Sequence, residues 1–311
     1  MLTAEQQAEI EASRGVATPT LRPTEPGAEA ALYVAQPVLE TGFVRLVDYM
    51  GNDAAVVQGA RVSYGRGTKS VSDDRNLIRY LMRYRHTTPF ELAVAKFHVR
   101  APIFVTRQWF RHRTASINEY SARYSVLERE FYFPREEDMA AQSASNRQGR
   151  DEVLPPDQAQ AALALLREDA TRAYDNYLHL LNEDEQGQRL DPGRAGLARE
   201  LARMNLPINV MTQFYWQANL WNLLHFLKLR ADPHAQMEIR AYAEAMLRVV
   251  EAWVPLTFEA FADYMRDAVK ISGPALGVIK AMISGQDVTA ASSGLSRREW
   301  RELMETLGRD A

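Results

Sequence analysis

Arginine carries the first chemistry that can be read from this chain. Between Arg75 and Arg123 stand ten basic residues (Arg75, Arg79, Arg83, Arg85, Lys96, Arg100, Arg107, Arg111, Arg113 and Arg123) against two acidic ones, Glu91 and Glu119. That is +8 in a chain whose total is −3, so the remainder carries −11. Nine of the ten are arginine, whose rigid, permanently charged fork matches phosphate and carboxylate oxygens. A polyanionic ligand is one reading; a solvated basic face is the other. Spacing separates them. Arg107 and Gln108 stand close to Arg111, His112 and Arg113, and Glu119-x-Ser121-x-Arg123 follows, so fixed cations bracket one carboxylate and one hydroxyl. Such a set can hold phosphates and also accept an N–H or a ribose hydroxyl.

Other chemistries are excluded by what the sequence lacks. It contains no cysteine, which removes disulfides, thiolate metal sites and any mechanism that opens with a sulfur nucleophile. Phosphate-cradling glycine loops, nucleophile elbows and H-E-x-x-H are missing, and the six histidines have no metal-ligand spacing, so no metal is expected. With 311 residues, 46% hydrophobic and 25% charged, the composition is that of a soluble globular protein, and no apolar run reaches bilayer length. The opening residues lack the basic start and apolar stretch of a secretory signal, so a cytoplasmic enzyme without a membrane partner is expected.

The elements that must position the arginines follow from periodicity. Residues 1–30, with Pro19, Pro23 and Pro26, read as a disordered tail. A strand is expected near Phe43 to Met50, a short helix from Asp53 to Tyr64, and a helix capped by Ser72 or Asp73 that stops by His86. ELAVAKFHVR alternates as a half-buried strand, and Pro102 opens the helix IFVTRQWFRH. If extended, the stretch after it places Glu119, Ser121, Arg123 and Ser125 on one face. Phe131 to Phe133 suggest another strand, and 135–156 a polar excursion. The second half reads as helices: 157–181, a shorter one between Pro192 and Pro207, a buried one over residues 210–230, then 235–253 and 256–268. A capping box from Ser296 to Glu299 starts a last helix with a stripe of Trp300, Leu303, Met304 and Leu307, expected to dock on the body or on a neighbouring subunit.

The motifs RHRTASINEYS at 111–121, HTTPFE at 86–91, APIFVTRQWFRHR at 101–113 and LKLRADPHAQMEIR at 227–240 stand in the order found in one family. The chain resembles the flavin-dependent thymidylate synthases, whose signature is R-H-R, seven residues, then Ser, over roughly residues 40 to 268. The resemblance implies reductive methylation of dUMP to dTMP. Methylenetetrahydrofolate would supply the carbon, and FAD reduced by NADPH the hydride. A chain without a thiol must then work by orientation and charge: C5 of uracil turns nucleophilic as negative charge gathers on N3 and the carbonyl oxygens, and a guanidinium placed there lowers the barrier.

By the same resemblance that catalytic guanidinium is Arg230, and Gln108, Arg111, Glu119, Ser121, Ala122, Arg123 and Arg203 line the dUMP site with it. Ser121 acts there as a hydrogen-bond donor; a nucleophilic role is the weaker alternative, since no histidine is obviously placed to take its proton. Thr88, Arg111, His112, Arg113, Glu119, Asn219 and His225 would hold the flavin, with His86 beside flavin and folate. Thr88 could instead cap a turn, His225 be a core histidine, and Asn219 bond within the helices. Two positions depart from the family pattern: Ala122 replaces a frequent glycine, and Trp221 a frequent arginine.

The expected architecture is α+β, a mixed sheet from the first half covered by helices of the second, with residues 31–270 as the synthase domain and 271–311 as a helical extension. A homotetramer with sites shared between subunits is implied by the resemblance. Two rivals stand beside it: a nucleic-acid binder, suggested by arginines interleaved with aromatics, and a flavoprotein oxidase that consumes NADPH without methylating. The acidic balance argues against the first.

Overall fold

The computed structural model describes residues 4–16, 18–62, 71–144 and 149–310. Its first unit runs to Phe261 and is built on a five-stranded sheet. Helices α1 (Ala4–Gly15) and α2 (Pro26–Ala31) precede β1 (Gln36–Val38) and β2 (Gly42–Met50). The supposed tail is therefore helical in part and tied down: Arg22 donates to the Tyr49 carbonyl at 2.8 Å, and Ala28 is fully buried. Gly27 explains the fit, because a Cβ there would lie 2.0 Å from the carbonyl oxygen of Ala252.

Helix α3 (Asp53–Arg61) starts where expected; Ser63 and Tyr64, the end of the predicted helix, lie outside the described residues. Helix α4 (Val71–Arg83) begins ahead of the expected cap, and Pro89 sits in the first turn of a short α5 (Thr88–Glu91). Strand β3 (Val94–Pro102) has the predicted alternation of Ala95, Phe97 and Val99, but its other face is not solvated. His98 and Arg100 are buried on it, Arg100 held by Glu128 at 2.7 Å and Glu130 at 2.6 Å. Helix α6 (Ile103–Trp109) stops before Arg111, and β4 (Ser116–Glu119) follows.

The predicted extension to Ser125 fails at Ser121, where a turn closes with the Tyr124 N–H donating to the Ser121 carbonyl at 3.0 Å. Phe131 to Phe133 make only an isolated bridge, Phe131 with Val210. The polar excursion carries a hairpin of its own, β5 (Ala140–Gln142) with β6 (Arg150–Val153). Helix α7 (Pro156–Leu181) spans the predicted stretch. The helix expected between Pro192 and Pro207 shrinks to α8 (Arg199–Ala202) and a single 3-10 turn, Arg203–Asn205.

The largest correction falls on residues 210–230. They form not one helix but strand β7 (Met211–Asn219) followed by helix α9 (Leu220–Arg230). Phe214, Trp216 and Ala218 are buried while Tyr215 and Gln217 are exposed, the period of a strand, and aromatic and β-branched residues favour it. β7 runs antiparallel along the whole of β3, from Val94 opposite Asn219 to Pro102 opposite Met211. The sheet order is β1-β2-β3-β7-β4, and every ladder in it is antiparallel. Helices α10 (Met237–Trp253) and α11 (Pro255–Phe261) complete the unit. Fully buried Trp109 joins the layers, its ring 5.3 Å from Phe214, 4.7 Å from Phe226 of α9 and 6.0 Å from Tyr242 of α10. The α+β class is the one the sequence implied, but the sheet is antiparallel rather than mixed and is not drawn from the first half alone, because β7 comes from the stretch read as helix.

A second unit comprises residues 262–311. In it α12 (Gly273–Ile283) and α13 (Arg297–Thr306) bury Ala275, Val278, Trp300, Leu303 and Met304 against each other. The capping box of Ser296 and Glu299 is formed.

Candidate active site

Helix α6 carries functional residues toward two neighbouring groups. On one side lies a cavity of about 270 Å³ lined by Thr106, Arg107, Phe110, Glu119, Ala122, Arg203 and Thr212, among others. β4 delivers Glu119 because it pairs with β7, Glu119 opposite Phe214. The Thr212 hydroxyl donates to Glu119 Oε1 at 3.0 Å. Enclosure of the carboxyl group pushes its pKa up; the Thr212 hydrogen bond and the Arg203 charge pull the other way. A carboxylate with one oxygen anchored and a guanidinium nearby can orient a nucleotide's N–H or hydroxyl.

On the other side is the end of α9. Arg230 Nη2 donates to the Gln108 carbonyl at 3.2 Å. Its Nε is buried without a hydrogen-bond partner, and so is Gln108 Oε1, an arrangement that is costly unless a ligand or another chain supplies one. Burial lowers the Arg230 pKa, yet a guanidinium stays cationic at neutral pH. His112 lies with its ring centroid 5.6 Å from that of His225, and its Nε2 is 3.0 Å from the Thr114 hydroxyl. Burial, then the His225 and Arg230 charges, lower the His112 pKa and so favour its neutral form.

A third group stands apart. His86 and Thr88 line a cavity of about 430 Å³ together with Tyr80, Pro89, Leu77 and Leu92. Asn219 caps α9, its side chain accepting from the Asn222 N–H at 2.9 Å, so its bonding within the helix is realised. Arg111, Arg113 and Arg123 are exposed; the Arg123 guanidinium lies 5.7 Å from the Tyr124 ring, and the Arg123 backbone N–H donates to Ser121 Oγ at 3.4 Å. Trp221 packs on Phe90, centroids 6.0 Å apart, which fixes the departure from arginine as an aromatic contact beside α5.

One chain therefore brings Glu119, Ala122 and Arg203 to one cavity and Gln108, His112, His225 and Arg230 to a neighbouring cluster. Ser121 and Arg123 meet each other, but among the described residues neither is hydrogen-bonded to Arg230. Thr212 escaped the sequence reading, hidden in the stretch read as helix, where strand alternation was the available signal. Tyr80 had no signal beyond an exposed tyrosine on an amphipathic helix. Among the described residues no group of three or more His, Asp or Glu is placed to hold a metal ion, and no helix is long and apolar enough to cross a membrane.

The cavity that holds Glu119 is lined by Arg107 and Arg203, and on this α+β scaffold it can meet an anionic ligand by charge and orientation. Residues 45–256 match the family described as thymidylate synthase complementing protein. The flavin-dependent thymidylate synthase of Ruegeria pomeroyi is 55% identical over 308 residues, 99% of either chain, and that of Gluconobacter oxydans 56% over 306 residues, 98% of either. A UMP/dUMP methylase from Streptomyces cacaoi, solved with 5-Br UMP, superposes with a TM-score of 0.64 at 36% identity, over 74% of this chain and 97% of that one. This chain belongs to the flavin-dependent thymidylate synthase family.

Proposed function

We propose that the chain converts dUMP to dTMP, taking the carbon from methylenetetrahydrofolate and using NADPH as reductant. The residues fit FAD: the exposed Arg111 and Arg113, with fixed cationic forks on either side of His112, suit a pyrophosphate. When bound, FAD supplies the hydride. His112, Thr88, Asn219 and His225 complete its contacts, with His86 beside the folate.

The chain's own part is charge and position. Arg203, Arg123 and Arg111 bind the dUMP phosphate, close to Ala122, and Ser121 and Gln108 donate hydrogen bonds to the nucleotide. Glu119, anchored by Thr212, accepts one. Arg230 faces the uracil and stabilises the negative charge that makes C5 nucleophilic. No thiolate is required, in keeping with a chain of 311 residues and no cysteine. We assign this chemistry to residues 31–270, with 271–311 as a helical extension.

A homotetramer that shares its sites supplies what one chain leaves open, since Arg111, Arg113 and Arg123 face solvent and Tyr215 on the sheet is 44% exposed. The cytoplasm is its compartment, and nucleic acid is not its ligand. The single observation behind this reading is the half-buried Arg230 at the end of α9, whose buried Nε has no partner. Purified protein should show a flavin absorption spectrum that dUMP perturbs, and should form dTMP only when folate and NADPH are both present. NADPH oxidation without dTMP would favour an oxidase; a colourless protein that shifts single-stranded DNA would favour a nucleic-acid binder.

A further inference from the structure

We propose that Tyr80 is a positioning residue that fixes the imidazole plane of His86; this rests on the reading of the site given above. The two rings are stacked, centroids 5.7 Å apart and planes 20° from parallel. They stand six positions apart in sequence, so the contact needs the chain to fold back. Arg85 makes that reversal in the left-handed region, φ 57°, where a non-glycine residue is strained. Its N–H donates to the Met82 carbonyl at 3.2 Å and the His86 N–H to the Leu81 carbonyl at 2.9 Å, pinning the His86 backbone to the end of α4. The imidazole itself is exposed and makes no hydrogen bond among the described residues, which leaves the ring stack to orient it.

Tyr80 is suited to that task and to little else. It is 53% exposed, and its hydroxyl has no partner among the described residues, so it does not serve the core. Its other ring contact is Tyr84, one turn on, at 4.8 Å, and the Arg83 guanidinium lies 5.5 Å from the Tyr84 ring. This ladder of side chains ends on the same cavity of about 430 Å³ that His86 and Thr88 line. A wall held in place before a ligand arrives saves the cost of ordering it on binding.

The test compares Tyr80→Ala with Tyr80→Phe in the full-length enzyme. Tyr80→Ala should raise KM for methylenetetrahydrofolate by about threefold to tenfold with kcat within about twofold, and Tyr80→Phe should restore it. In parallel, the His86 ring protons, assigned through His86→Asn, should lose their upfield ring-current shift in Tyr80→Ala and keep it in Tyr80→Phe. An active Tyr80→Ala enzyme with unchanged KM and unchanged His86 shifts would overturn the proposal. So would a loss of kcat accompanied by a lower unfolding midpoint, the mark of a merely structural role. A wild-type protein that forms no dTMP would sink the functional reading alone, while the ring-proton shifts would still decide whether Tyr80 holds His86.

Discussion

Arg230 Nη2 donates to the backbone carbonyl of Gln108 at 3.2 Å, so the last residue of α9 is tied to α6 across 122 positions of sequence. One side of the guanidinium is thereby committed, while its buried Nε is left for something outside the chain. The packing that sets this up is the Trp109 cluster, which fixes α6 against Phe226 of α9. Position, rather than an unusual side chain, is what suits Arg230 to the role proposed for it.

The hydroxyl of Thr212 should set the acid side of activity. It opposes the upward push that enclosure exerts on the Glu119 carboxyl group. Thr212→Val removes the donor, so the acid limb of the kcat/KM profile should move to higher pH by roughly one pH unit or less. Thr212→Ser should bring it back. An unmoved limb in Thr212→Val would count against Glu119 as the titrating group.

His98 should make stability depend on pH. Buried between Arg45, which donates to its Nδ1 at 2.9 Å, and Gln213, 3.0 Å from its Nε2, its pKa is lowered to about 4, chiefly by burial. The unfolded chain, with histidine near 6.5, binds more protons between those values, so this stability is complete above pH 6.5 and is lost as pH falls toward 4. At most about 3 kcal/mol is involved. Urea unfolding from pH 4 to 8 should show a steeper loss for wild type than for His98→Gln.

Asp53 reaches from α3 to the start of α11, its carboxylate accepting from the Leu256 N–H at 2.7 Å and the Thr257 N–H at 2.9 Å. Removing this cap with Asp53→Ala should cost about 2 kcal/mol of unfolding free energy. Denaturant midpoints measure it, and a change under a few tenths of a kcal/mol would refute the cap.

Ser121→Ala should weaken dUMP binding by on the order of tenfold and leave turnover measurable, as expected of a lost hydrogen bond. Titration of the flavin spectrum with dUMP provides the binding constant. Complete inactivity in a folded variant would instead point to a nucleophilic serine.

Residues whose role is local were the ones readable in advance. The alternation of Ala95, Phe97 and Val99 announced β3 and the capping box of Ser296 and Glu299 announced α13; the arginines of 75–123 divide, since Arg79 is paired with Glu259 and Arg100 with Glu128 and Glu130. Residues 210–230 misled because apolar residues fall on every side of a helix drawn through them, so the stretch read as one buried helix; the burial of Phe214 and Trp216 against exposed Tyr215 separates strand from helix. Ser121 and Arg123 were expected on one extended face, yet pairing with β7 ends at Glu119 and the chain turns. Thr212 and Tyr80 owe their roles to partners 93 and 6 residues away, Glu119 and His86, which no local pattern encodes.

The most direct trial of the whole account is tritium release from C5-labelled dUMP, measured for wild type and Arg230→Ala with folate, FAD and NADPH present. Wild type should release tritium only with the folate, and Arg230→Ala should retain a flavin spectrum while releasing at least about a hundredfold less. Equal release from both proteins would contradict the claim that a fixed guanidinium, in place of a thiol, activates the pyrimidine.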